Sequence, residues 1–66
     1  MCLSAVYDEN KNLLCENVMM VKNQEDGRLD FYNILGVCTS YYGFIEKINL
    51  MDNCISIRKD PARAAK

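Results

Sequence analysis

Breaks recur so often along this chain that every segment between them is short. Polar clusters at "DENKN" (8–12), "NQEDG" (23–27) and "MDN" (51–53), glycines at 36 and 43 and the proline at 61 leave runs of ten residues or fewer. Runs of that length with alternating apolar residues read as β-strands separated by turns, so the expected class is all-β. In "CLSAVY" (2–7) Leu3, Ala5 and Tyr7 share one face and Cys2, Ser4 and Val6 the other. "LLCENVMMVK" (13–22) supplies a second strand, in which the adjacent Met19 and Met20 are expected on opposite faces, both of them covered. The Asp26-Gly27 pair signals a hairpin into "RLDFY" (28–32), with Leu29 and Phe31 inward and Arg28 and Asp30 outward. "NILG" (33–36) reads as a tight turn or a single helical turn closing on glycine. "VCTSYY" (37–42) resumes extended structure, and Gly43 is expected to break it. In "FIEKINL" (44–50) Phe44, Ile48 and Leu50 share a face that Ile45 leaves; a bulge near Glu46-Lys47 would explain the shift. "CISIRK" (54–59) is the last strand, and Pro61 is expected to end regular structure. Five or six short strands in this order suggest a small, strongly bent barrel.

Sixty-six residues make one small domain, expected over 1–58, with 59–66 a basic, flexible tail. A chain of this size buries only about 60% of its unfolded surface, so a metal, disulfides or a second copy often supplies the missing stability. Half of the residues are hydrophobic, which argues against disorder. The longest strictly apolar run, "VMMV" at 18–21, is far too short to cross a bilayer. Asp8, Glu9 and Lys11 interrupt the N-terminus before a signal-peptide core forms, so the expected compartment is the cytoplasm. Residues 1–57 carry four basic side chains against eight acidic ones, and residues 58–66 carry four basic against Asp60 alone. An acidic body offers little to the phosphates of nucleic acid.

Cys2, Cys15, Cys38 and Cys54 form no C-x-x-C pair, and the chain has no histidine. Scattered thiols without paired spacing do not match the usual structural zinc arrangements. Without a secretion signal, free thiols are expected rather than disulfides. Cys15, Cys38 and Cys54 lie in strand contexts and are expected to act as small hydrophobes in the core, although Cys54 shares a face with Ser56 and Arg58 and is partly exposed. Met19, Met20 and Met51 are expected as core fillers; Tyr41 and Tyr42 line the barrel or belong to an interface. Cys2 has two readings. It is one more buried small side chain, or its thiol, beside the chain terminus, grips a metal together with main-chain nitrogen.

The Met1-Cys2 start, "LLCENV" in the second strand and "LDFYNILGVCTSYYGFIEKINLMDNCISI" resemble the CooT family of small nickel-binding proteins. The matching positions are Tyr7; Leu13, Leu14 and Glu16; Leu29, Phe31 and the Asn33–Gly36 turn; then Gly43, Ile45, Ile48, Asn49, Leu50 and Ile55. Together they span about residues 1–58. Leu3 stands where relatives often carry an acidic residue, and Asn53 where they often carry histidine. The resemblance implies a homodimer of SH3-like barrels, with Ni(II) held between the protomers by the Cys2 thiolates and with nearby backbone nitrogens as further donors. It also implies a role in handling nickel as chaperone, store or sensor, alongside a maturation factor for a nickel enzyme such as carbon monoxide dehydrogenase.

Elementary chemistry is compatible with that site. Ni(II) accepts nitrogen and sulfur donors in a square plane. One Cys2 supplies too few ligands, and a two-fold axis doubles them. Sulfur and main-chain nitrogen of one cysteine close a compact chelate ring without imidazole. A metal-free SH3-like module for protein or RNA is the alternative. An enzyme is not expected: there is no histidine, no carboxylate pair at a recognisable spacing and no phosphate-binding glycine loop.

Overall fold

The computed structural model describes residues 3–63. Five strands follow one another: β1 (Ser4–Tyr7), β2 (Leu13–Asn23), β3 (Arg28–Asn33), β4 (Cys38–Asn49) and β5 (Cys54–Lys59), then a 3-10 turn over Pro61–Arg63. Neighbours in sequence pair antiparallel, and β1 pairs parallel with β5, so the sheet closes into a ring. Closure leaves no long strand edge open for uncontrolled pairing.

The ring wraps a core of Val6, Val18, Leu29, Phe31, Ile55 and Ile57. Leu14, Cys15, Val21, Tyr41 and Ile45 pack around it, with the Tyr41 ring 6.2 Å from that of Phe31. Val6, Leu29, Phe31 and Ile57 are the largest fully buried side chains, each contributing about 1.5–3 kcal/mol of transfer free energy.

Local chemistry sets each turn. The Asp8 carboxylate accepts from the main-chain N–H of Asn10 (2.8 Å) and Asn12 (2.9 Å), which lets Lys11 take a left-handed conformation (φ 66°). Gln24 and Arg28 join across the 24–27 hairpin, where Gly27 sits at φ 91°. The Asn33 side-chain oxygen accepts from Leu35 and Val37 N–H groups, closing the "NILG" segment as a tight turn on Gly36 (φ 84°). Asn49 caps the last turn in the same way, through Met51 and Asp52.

Three sequence expectations need correction here. Gly43 does not end a strand: β4 runs through it, pairing with β3 up to Tyr42 and with β5 from Gly43 onward. At that changeover the backbones come so close that a Cβ on residue 43 would collide with the Arg58 carbonyl oxygen. Second, Met19 and Met20 do not take opposite faces. A register shift between Val18 and Met20 turns both outward, 55% and 40% exposed, while Val18 is buried and Val21 packs on the core. Third, Met51 is 93% exposed at a turn tip, so none of these three methionines fills the core. Asp30 takes the outer side of β3 as expected and is nevertheless buried, because neighbouring polar side chains cover it. It accepts from Ser40 Oγ (2.7 Å) and Gln24 Nε2 (3.0 Å), and Arg28 Nε stands 3.0 Å away. The bulge expected near Glu46-Lys47 is present as a register shift between Ile45 and Lys47. Regular structure also extends slightly past Pro61, through the 3-10 turn.

Two measurements follow from this packing. Gly43→Ala should lower unfolding stability by about 1–3 kcal/mol in urea titrations, since the clash is with backbone rather than a movable side chain. Asp30 is held below its ordinary value of 3.8, first by the Ser40 hydroxyl, then by the Gln24 amide, and further by the Arg28 guanidinium. Its folded-state pKa is therefore depressed. The stability it confers is present above pH 3.8 and drains away as pH falls from there through the lower folded value. Asp30→Asn should be less stable than wild type at pH 7, and the gap should narrow as the pH drops below that point.

Candidate metal centre

Cys2, the residue singled out by sequence, lies outside the described residues. The setting of the strand that follows it is defined. Ser4, two positions later, opens β1 opposite Val18 of β2. On its other side, Ala5 pairs with Cys54, and the Ala5 N–H donates to the Asn53 carbonyl (3.0 Å). Asn53 adopts φ 53°, a left-handed position that asparagine tolerates, and this turns the chain into β5 beside the start of β1. The entry of the chain into the ring is thus fixed between β2 and β5.

The other three cysteines are free and occupy three different environments. Cys15 faces inward opposite Val6 and packs on the core. Burial pushes its thiol above the usual value, opposed by a hydrogen bond with Thr39. Desolvation of that kind disfavours the thiolate a metal requires. Cys15 therefore matches its expected role as a small hydrophobe.

Cys38 does not, because it is exposed at the first position of β4. Its partner across the ladder is Tyr32, and its Sγ lies 3.8 Å from Ser40 Oγ. Ser40 spends its own proton on Asp30, which leaves its oxygen to accept from the Cys38 thiol. Tyr32 is held protonated, above its ordinary value, chiefly by its hydrogen bond to Cys38. A strand context alone suggested the core for Cys38, but the inward position of this pair of strands belongs to Phe31 and Thr39. Cys54 is half-buried beside Tyr7, Lys11, Asp52 and Ser56, which together line a shallow surface depression. That partial exposure agrees with the face it shares with Ser56 and Arg58.

Among the described residues no three His, Cys, Asp or Glu side chains converge to hold a metal ion. Tyr41 lines the ring interior, with Lys59 Nζ 5.7 Å from its ring centroid, and Tyr42 is half-buried at the β4 changeover.

A comparison with family models matches residues 1–58, most of this small closed sheet's chain, to a CO dehydrogenase accessory protein, which defines an accessory class of protein. The chain belongs to the CooT family. A comparison with curated proteins finds no match. The family is an accessory one rather than a catalytic one, consistent with a protein that is not an enzyme. No helix among the described residues is long and apolar enough to cross a membrane.

The thiol environments set an order of reactivity. With a limiting alkylating agent under denaturant-free conditions, among Cys15, Cys38 and Cys54 the exposed Cys38 should be labelled first and Cys15 last, read site by site through peptide mass mapping. Equal labelling of Cys15 and Cys38 would contradict the burial described here.

Proposed function

We propose that this protein is a nickel-handling accessory factor for carbon monoxide dehydrogenase, acting in the cytoplasm as a homodimer. In this reading each copy is an SH3-like barrel, and one Ni(II) is held between two copies by the thiolates of both Cys2 residues. The observation that carries it is the family match, which begins at residue 1 and so includes the Met1-Cys2 start.

Three features of the molecule support the chemistry. The chain has no histidine, so its softer donors for a transition-metal dication are sulfur and main-chain nitrogen. The three described cysteines do not compete with Cys2 as a set, because they are spread over β2, β4 and β5. The start of β1 is anchored on both sides, by Val18 and by Asn53, which gives residue 2 a fixed point two positions away. Nickel is cargo here rather than a resident catalytic group. Loading requires the loss of thiol protons, since a free thiol has a pKa of about 8.5 and the dication must lower it. Affinity should therefore fall as the solution is acidified. Removal of Met1 would expose the Cys2 amine as a further donor.

Ni(II) titration should produce thiolate-to-metal charge-transfer absorption that saturates at about one metal per two chains. In Cys2→Ser that absorption should disappear, while Cys38→Ser should keep it. Unchanged binding in Cys2→Ser would remove the site.

A further inference from the structure

The outer surface beside the start of β1 is apolar, and the backbone is arranged to make it so. Asn17 takes a left-handed conformation (φ 57°), and the register shift that follows turns Met19 and Met20 outward together. An unbroken strand would have sent one of them inward. The Ile34 N–H then donates to the Asn17 carbonyl (3.1 Å), pinning the β3–β4 turn against this bulge. That turn presents Ile34, Leu35 and Val37, with Leu35 81% exposed. From Asn33 to Ile45 the chain carries no charged residue. The charges nearest to the methionines on their own strand are Glu16 on one side and Lys22 on the other, both exposed.

This pattern complements itself. Glu16 and Lys22 lie equally far in sequence from Met19, three residues before and three after. A two-fold axis at Met19 laying β2 antiparallel to a second β2 brings each acid opposite the other copy's base. An uncharged apolar centre with opposite charges at either side is what an isologous contact requires. A different protein would need no such mirror order. The small core gives a further reason: the buried hydrophobic residues Val6, Val18, Leu29, Phe31, Ile55 and Ile57 stabilise so short a chain only modestly, and covering this face adds burial.

We propose that a second copy of this chain docks on the face formed by Met19, Met20, Ile34, Leu35 and Val37, with β2 running antiparallel to its counterpart about an axis at Met19 and Glu16 of each copy facing Lys22 of the other. The inference rests on the two-copy reading above and gives that dimer a location. Ser4 pairs with Val18, so this contact also brings the starts of the two β1 strands towards one axis.

The test is a charge reversal read by sedimentation equilibrium in excess chelator, so that no metal holds the copies together. Wild type should be dimeric. Glu16→Lys alone and Lys22→Glu alone should each raise the dimer dissociation constant about tenfold or more, because each places like charges opposite one another twice. The double variant E16K/K22E should restore it to within about threefold of wild type, which also shows that the fold survives the substitutions. Leu35→Asp, at an exposed turn position, should give a folded monomer by circular dichroism and mass. A chelator-treated wild type that is monomeric overturns this contact. So do single reversals without effect, or a double variant that stays dissociated. Nickel binding by Cys2→Ser, measured separately, sinks the metal reading and leaves the contact standing; loss of nickel in Cys2→Ser with the dimer intact supports both.

Discussion

The whole arrangement depends on a four-residue strand. β1 closes the ring by pairing with β2 on one side and β5 on the other, and its Val6 sits fully buried at the centre of the core. Were β1 to leave, β2 and β5 would each lose a neighbour, and Val18, Ile55 and Ile57 would lose the residue they pack against. So short a strand contributes few hydrogen bonds of its own; its weight lies in burial and closure. The consequence is that Ser4 and Val6 belong to the most constrained element of the fold.

Two irregularities translate this closed sheet into a useful surface. The bulge after Asn17 and the one after Ile45 each turn two successive residues outward: Met19 with Met20, and Glu46 with Lys47. The first produces an apolar face beside the chain start. The second produces a charged one, where Glu46 Oε2 accepts from Arg58 Nη2 at 3.0 Å. Such an exposed ion pair adds little stability, but it keeps that side of the ring solvated and distinct. Asp30 and Asp8 perform the opposite task. Each is a buried carboxylate wrapped in donors, with Asp8 also 3.9 Å from Lys59 Nζ, and each fixes how a turn or strand pair is held.

Much of the fold was legible in the residues. Turn chemistry announced itself at the Asp26-Gly27 pair and at the Asn33–Gly36 turn, and the last strand has the bounds its alternation suggests. Misreadings clustered where strict alternation fails. Alternation puts Met19 and Met20 on opposite faces; the bulge that overrides it depends on Asn17 adopting a left-handed backbone, which asparagine permits without announcing. Asp30 reads as outward by alternation, and it is; its burial comes from Ser40 and Gln24, ten and six residues away. Cys38 lies in a strand, as expected, but is exposed because Thr39, not Cys38, faces Phe31. Gly43 resembled a break, whereas it permits a close crossing of backbones. The candidate site was legible only through the order of motifs that marks the family, since one cysteine at a chain start carries no geometry by itself.

The central claim is that two copies share one metal through the second residue of each. Native mass spectrometry of the protein loaded with a slight excess of Ni(II) addresses it in a single spectrum, because mass and metal content are read from the same ion. A species of two chains and one nickel, lighter by four protons or fewer than its parts, is the expected result. One nickel on each single chain, or a pair of chains that takes up no nickel at all, would contradict it.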